Sequence, residues 1–406
     1  MTARLERRAP APWWAQGGVV AACLLLAGFA VVAALYAWGG DAYFALRQAA
    51  GMQPFAPFLD LHNVMAAVAC WKDGVDVYVT NPCDAMGRLH IYSPLWLRLP
   101  AVFGAAALTG PIEVALALAF VLALLVLPAT PDARATGLLV LAAVSPDTVF
   151  ALERANMDVL IFMAVLMAVP LLAGGVAMRG LAYAVFLAMG LLKFYPLVLL
   201  GLLVRERPPV ALMFGLAALA AAALAVLPLA DEFRLALANI LPHPAFTGTF
   251  GARHLTQGLA LLLPGQAMVA LAAGVLVAVL ATALTLRLAT DRAVLMAADA
   301  LPRRHADLCL VGAVLTLGCF LAGESVEYRA IFLVPPMPAL LRMGSGSRVF
   351  TVTSGIAAWL LWDPVVRRLM ARLSPGEGGS PARAGLRCGG CAKSCGGGWP
   401  RCWRRW

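Results

Sequence analysis

Charge is what this chain has least of. Only 13% of its 406 residues are Asp, Glu, Lys or Arg, while 62% are hydrophobic. A soluble domain carries about a quarter charged residues and roughly half apolar ones. A water-soluble globule of this composition would expose too much apolar surface, so that class is excluded. Apolar/polar alternation is missing too: the runs Gly17–Gly40, Pro208–Ala230, Leu255–Leu286, Leu308–Gly323 and Val349–Trp362 are charge-free. That excludes a β-barrel, whose strands alternate. No small-residue cleavage site precedes a soluble domain, so the first apolar run reads as an uncleaved anchor. No repeat of useful length is visible. Histidine is scarce, at five residues, and none lies near the tail cysteines Cys388, Cys391, Cys395 and Cys402, whose spacing fits no common zinc pattern. The expectation is no metal and no cofactor.

What remains is a polytopic α-helical membrane protein. A crossing helix needs about 20 apolar residues. Ten or eleven segments qualify roughly: 17–38, 94–109, 111–128, 136–151, 157–175, 180–203, 210–230, 266–286, 307–322, 328–342 and 348–362. Three parts follow: a basic cytoplasmic N-terminus (1–16), a transmembrane domain (17–365), and a basic Gly/Cys-rich tail (366–406) expected to be disordered. The net charge of +10 sits at span ends and in the tail. That is a topology signal, and no nucleic-acid partner is expected. Arg4, Arg7 and Arg8 place the N-terminus inside; loops 204–209 and 287–306 read as cytoplasmic. Residues 39–92 and 231–265 then lie outside, with His62, His90, His243 and His254 in a shared outer pocket. Cys70 and Cys83 share the first loop and pair if it faces an oxidising compartment; the spacing alone does not decide it.

The long first loop is where chemistry is expected. Asp60, in FLDLHN, sits where the chain leaves the membrane surface, and Phe58–Ala69 reads as an amphipathic helix along the interface. Partial desolvation there raises a carboxylate's pKa and suits it to general base work; an N-cap or solvated loop acid fits the same position. Gly74, Pro82 and Pro94 fix turns, and Tyr78, Tyr92 and Trp96 either belt the interface or stack on a sugar ring. ERANMD (Glu153–Asp158) sets polar groups beside an apolar span. Lys193, inside GLLKFYPL, points to a polar site, because charge at membrane depth is costly. Its expected partner is a ligand phosphate. Arg329, in ESVEYR, holds a phosphate or pairs with Glu327.

The order of these knots resembles glycosyltransferase family 87 of the polyprenyl-phosphate-dependent GT-C superfamily. The pattern is an outside Asp after helix one, G-x-D-x-Y (Gly74–Tyr78), Tyr92 near Pro94, Arg154-x-Asn156, Lys193-x-Tyr195-Pro196, and Tyr328-Arg329-x-Ile331-x-Leu333. It covers about residues 17–345. NPCDAMGRLHIYSPLW resembles a bacterial branch with NPCD-x-x-GR-x-x-x-Y-P; here Ser93 separates Tyr92 from Pro94. The resemblance implies a GT-C-type helix bundle in the cell (inner) membrane, with its active site on the outer, periplasmic face. It implies transfer of a hexose, often mannose, from a polyprenyl-phosphate donor to a lipid or glycan acceptor, inverting and metal-independent in many members. Asp60 matches the family's base. Substrate binding would fall to His62, Asp76, Tyr92, Arg154, Asn156, Asp158, Lys193, Tyr195, Tyr328 and Arg329. The competing reading is a transporter of a lipid-linked or small polar solute, since intramembrane charges also line transport paths. Against it, no paired interrupted helices occur in two matching halves. A non-catalytic membrane subunit is the third reading.

Overall fold

A computed structural model describes residues 16–38, 40–50, 57–84, 86–102, 109–240, 248–323 and 325–373. His243, Glu324 and the tail cysteines lie outside the described residues. The described chain is overwhelmingly helical. The helices are α1 (Gly17–Trp38), α2 (Gly40–Ala50), α3 (Leu59–Lys72), α4 (Leu95–Val102), α5 (Thr109–Ala123), α6 (Ala133–Ala143), α7 (Pro146–Glu153), α8 (Met157–Ala168) and α9 (Val176–Lys193). They continue as α10 (Pro208–Val226), α11 (Ala230–Ala238), α12 (Arg253–Leu262), α13 (Ala267–Ala289), α14 (Arg292–Asp299), α15 (Arg303–Ala322), α16 (Met337–Gly344), α17 (Arg348–Leu361) and α18 (Asp363–Leu373). Among the described residues, strands are limited to two short ones. β1 (Thr249–Phe250) pairs antiparallel with β2 (Ser325–Val326), Thr249 opposite Val326.

Six helical stretches are long and apolar enough to cross a membrane: Gly17–Trp38, Ala133–Glu153, Val176–Lys193, Pro208–Ala238, Ala267–Ala289 and Arg303–Ala322. Four shorter apolar helices join them: Gly110–Val126, Met157–Ala173, Tyr195–Arg205 and Arg348–Leu361. The fold is thus an all-α membrane helix bundle. Burial divides the six long stretches. In the most apolar 18-residue window of each, 61% of residues are buried within the protein for Ala133–Glu153, against none for Pro208–Ala238 and 6% for Ala267–Ala289. Apolar helices left this bare require an apolar solvent, which lipid supplies.

Several span boundaries need correction. The 328–342 segment is a 3-10 turn (Glu327–Leu333) and a separate eight-residue helix, α16, divided at Pro335-Pro336. The 94–109 segment contains only α4 before the chain leaves the described residues. The 136–151 segment starts earlier and breaks in the middle. Asp132 caps α6 by accepting from the Ala135 N–H at 2.8 Å. Ser145 caps α7, with Pro146 in its first turn. Tyr195–Arg205 runs as 3-10 helix, wound by Pro196 directly after α9. The tail boundary also moves, because residues 366–373 belong to α18, held in part by Arg367 on Asp363 at 2.6 Å.

Two compact units are present. Residues 27–55 and the chain beyond Asp363 form one; there Tyr43, 2% exposed, stacks edge-on with Tyr36 at 5.4 Å. The rest, residues 1–26 and 56–362, form the unit that holds the candidate site. Within it α3 is not a surface helix. Asp60, Leu61, Asn63, Val64, Met65, Ala67, Val68 and Cys70 are all buried, so apolar residues surround it and one-sided amphipathicity is lost. One flank packs Leu61, Val64 and Met65 against Trp96, Ala155, Met157 and Leu192. The other packs Ala67, Val68 and Cys70 against Val77, Tyr78, Leu97 and Ala236. A Cys70–Cys83 disulfide ties the following loop to the end of α3. On the far side, Gly318 lets α15 approach closely: a Cβ there would sit 2.3 Å from the Val198 side chain.

Candidate functional site

Three chain junctions meet at one point. Phe58 N–H donates to the Glu153 carbonyl at 2.6 Å and Asp60 N–H to the Arg154 carbonyl at 3.0 Å, fastening the start of α3 to the α7–α8 turn. Trp96 Nε1 donates to the Leu192 carbonyl at 3.1 Å, fastening α4 to the end of α9. The junctions carry backbone strain. Among the described non-glycine residues, positive φ occurs at Phe58 (60°), Ala155 (45°) and Phe194 (62°). Ala155 and Phe194 each flank polar residues of the site, and Phe58 lies two positions before Asp60. A left-handed residue with a side chain costs about 1–3 kcal/mol and persists where its surroundings over-determine it, commonly at working sites.

The junctions gather a ladder of charge. Arg154 forks onto Asp60: its Nε donates to Oδ2 at 2.9 Å and a terminal nitrogen donates to Oδ1. The Asn156 amide donates to Asp60 Oδ2 at 2.5 Å, and its carbonyl oxygen accepts from Lys193 Nζ at 2.8 Å. One amide therefore links both halves of the ladder while capping α8 through the Asp158 N–H. Asp158, fully buried, meets Lys193 Nζ at 2.5 Å, the Tyr195 hydroxyl at 2.7 Å and Arg329 Nε at 3.7 Å. Arg329 lies over the Tyr195 ring at 4.7 Å, and Lys193 over the Tyr92 ring at 5.6 Å. Tyr328 packs near Phe150, its phenol in the fields of Asp60 and Arg154.

Arg88 is the residue that sequence reasoning missed. It lies 3.9 Å from Asp60 and donates to the Leu59 carbonyl at 3.1 Å. Asp84 holds it in turn, at 2.7 Å and 3.0 Å. The available signal was the four-residue spacing of acid and base in NPCDAMGR, which follows the disulfide cysteine. Four cations (Arg88, Arg154, Lys193, Arg329) face three acids (Asp60, Asp84, Asp158). The site is one positive charge in excess. Asp158 Oδ2 and Arg329 Nε are buried without a hydrogen bond and face each other as an ion pair at 3.7 Å, longer than a hydrogen bond.

Nine of the eleven expected site residues come together: Asp60, Tyr92, Arg154, Asn156, Asp158, Lys193, Tyr195, Tyr328 and Arg329. Two do not. His62 faces Glu113 of α5 at 3.0 Å. Asp76 is exposed and accepts from the Tyr78 N–H at 3.0 Å, a turn role. Among the described residues the histidines have separate partners: His254 meets Gln257 at 3.2 Å, and His90 is fully buried with its Nε2 3.3 Å from the Ser93 carbonyl. The two loops expected on one face do touch. The Glu232 carboxylate accepts from the Tyr78 hydroxyl at 3.2 Å and from Arg98 at 2.5 Å, and Asn239 donates to the Tyr78 carbonyl at 2.9 Å.

Three further expectations are corrected. Burial raises the pKa of Asp60, but Arg154, Asn156 and Arg88 outweigh it, and the carboxyl is held below its ordinary value of 3.8. As it stands, Asp60 is a weak base. Lys193 pairs with Asp158, so its partner is a protein carboxylate and not only a ligand. Arg329 pairs with Asp158 at 3.7 Å, where the expectation was a phosphate or Glu327.

His90 gives a pH prediction. Its burial lowers the pKa from 6.5 to about 4, against a small opposing effect of the Ser93 carbonyl 3.3 Å from Nε2. The fold holds the ring neutral, while the unfolded chain takes a proton near pH 6.5. This contribution is intact above pH 6.5 and is lost as the pH falls from 6.5 towards about 4. The loss is on the order of 3 kcal/mol. Thermal unfolding of purified protein at pH 7 and pH 4.5 should show a smaller acid penalty for His90→Gln than for wild type. An equal penalty in both removes His90 as its source.

Comparison with protein-family models, with curated proteins and with solved structures finds no match. The class defined by fold and site together is a multi-pass membrane protein with a buried, cation-rich polar centre.

Proposed function

We propose that this chain is a membrane glycosyltransferase of the GT-C type, resembling glycosyltransferase family 87. It transfers a hexose from a polyprenyl-phosphate donor to a lipid or glycan acceptor, on the outer face of the cell membrane. The observation that carries the reading is the one-charge excess of cation over the buried acids Asp60, Asp84 and Asp158, at a site framed by three strained junctions. A polyprenyl-phosphate sugar is a lipid-soluble phosphodiester with one negative charge. When the acceptor oxygen attacks the anomeric carbon, the carbon–oxygen bond to phosphate breaks. Polyprenyl phosphate leaves with a second negative charge. Lys193, Arg329, Arg154 and Arg88 are suited to a charge that grows during the reaction, which is where electrostatic stabilisation accelerates a step. The acceptor proton goes to Asp60.

Asp60 becomes a competent base only when its cations are shared. A phosphate near Arg154 and Arg88 competes with Asp60 for them, which weakens the two interactions that depress its pKa. Donor binding therefore switches on the base. The test is a purified-protein assay in nanodiscs with polyprenyl-phosphate-mannose and a membrane-extract acceptor. Sugar transfer is expected, with polyprenyl phosphate as co-product. Donor movement across sealed proteoliposomes without bond cleavage would instead establish the transport reading.

A further inference from the structure

The opposite end of α15 carries a second, unrelated feature. Residues Arg303 and Cys319 are 16 positions apart, roughly 24 Å along a helix. Cys319 feels the charges of Arg329 and Asp158, so Arg303 lies far from the charged centre. Here Val126, Met167, Val169, Pro170, Ala173, Arg303, Arg304 and Asp307 enclose a crevice of about 490 Å³. That is within the roughly 300–1,000 Å³ of small-molecule sites. Its lining is nearly all apolar apart from the charged ends of Arg303, Arg304 and Asp307.

The charged part of the lining is basic. Arg303 donates to the Leu172 carbonyl at 3.0 Å, and Arg304 donates to the Val126 carbonyl. Each guanidinium caps a helix end with one of its five N–H groups and keeps others free. The local acid does not neutralise them. Asp307 is buried and already accepts two hydrogen bonds from Arg205 at 3.0 Å, with Arg303 Nε 3.7 Å away. Arg205 and Arg303 thus share one carboxylate, while Arg304 bonds the Val126 carbonyl. Met167 and Ala173 open the apolar wall outward.

We propose that this crevice binds an anionic phospholipid, with the headgroup phosphate on Arg303 and Arg304 and one acyl chain along Val126, Met167, Pro170 and Ala173. Basic pockets between membrane helices select anionic headgroups by charge, and the apolar wall selects a lipid over a soluble phosphate. The site is independent of the glycosyl-transfer reading.

The test uses the full chain in neutral detergent, titrated with phosphatidylglycerol and followed by native mass spectrometry. One tightly bound phosphatidylglycerol is expected, displaced by neither inorganic phosphate nor phosphatidylcholine. Removing both charges (Arg303→Gln with Arg304→Gln) should weaken it roughly thirty-fold. Arg303→Gln alone leaves the Arg304 contact in place, so its smaller loss is readable if the double variant folds poorly. Filling the wall with Ala173→Trp should also expel the lipid. Arg292→Gln removes the same charge from the same basic loop outside the crevice and should change nothing. The proposal is overturned if Arg292→Gln weakens binding as much as Arg303→Gln. It is overturned equally if phosphatidylcholine binds as tightly, or if Ala173→Trp has no effect.

Discussion

Replacing Asp60 with Asn should abolish sugar transfer and also loosen the fold. On the proposed reading the loss is at least about 10²-fold, the lower range for a positioned general base. The structural cost follows from the partners. Asp60 is 6% exposed and accepts from Arg154 twice and from Asn156 once, with Arg88 close by. An Asn at this position cannot balance Arg154, and stranding one partner of a buried pair costs about 3–5 kcal/mol. An unperturbed fold, which the sequence reading would expect for a loop acid, is therefore not expected. The two effects separate in a double variant. Asp60→Asn with Arg154→Gln removes both charges, so thermal stability should largely recover while turnover stays lost. Turnover close to wild type in either folded variant removes Asp60 from the mechanism. Stability that fails to recover means the Arg154 pairing is not what Asp60 contributes.

Helices α1, α10 and α13 were legible because their runs lack charge over a whole span, and little else folds that way. Lys193 and Asp158 were legible as functional suspects because charge inside apolar sequence needs an explanation. Their mutual pairing was not legible. The residues are 35 positions apart, and only the 3-10 turn at Tyr195-Pro196 and the left-handed Phe194 bring them together. Asp60 shows the converse failure. The expectation was partial desolvation at an interface, whereas Asp60 is buried within the protein, and the sign of its pKa shift was missed because it depends on Arg154 and Arg88 being within reach. Desolvation raises a carboxylate's pKa only when no cation answers it. Arg88 was missed because its neighbours in sequence look like a turn, and only the packing of the disulfide-tethered loop turns it towards Leu59 and Asp60. Asp76 was over-read: its motif position suggested a ligand, whereas its carboxylate closes a turn.

Lys193→Met carries the second large expected effect, and the structure changes its form. A lysine whose partner is only a ligand phosphate could be replaced without cost to the empty protein. Here the ammonium lies 2.5 Å from Asp158 and 2.8 Å from the Asn156 carbonyl oxygen, and is 10% exposed. Methionine would leave Asp158, itself 0% exposed, with the Tyr195 hydroxyl and a guanidinium at 3.7 Å. Destabilisation of about 3–5 kcal/mol is expected, as for any buried pair broken on one side. Lys193→Arg should rescue little, because a planar fork does not fit a space shaped around a compact ammonium. Lys193→Met with Asp158→Asn removes both charges and should regain most of the stability. That double variant is the informative one. Its net site charge is unchanged, since one cation and one acid are lost together. Donor affinity measured in nanodiscs then separates charge count from charge position. If the phosphate needs only a positive site, the double variant binds polyprenyl-phosphate-mannose almost as well as wild type. If it needs the ammonium itself, affinity stays low although the fold has recovered, and this second outcome is the one expected. On the proposed reading the phosphate would arrive from the lipid phase, and Lys193, ending α9 beside Tyr92, is a compact donor whose three N–H groups can turn from Asp158 to a ligand without moving the helix. Normal donor affinity in the refolded double variant would make Lys193 a structural counter-ion and leave phosphate recognition to Arg329, Arg154 and Arg88.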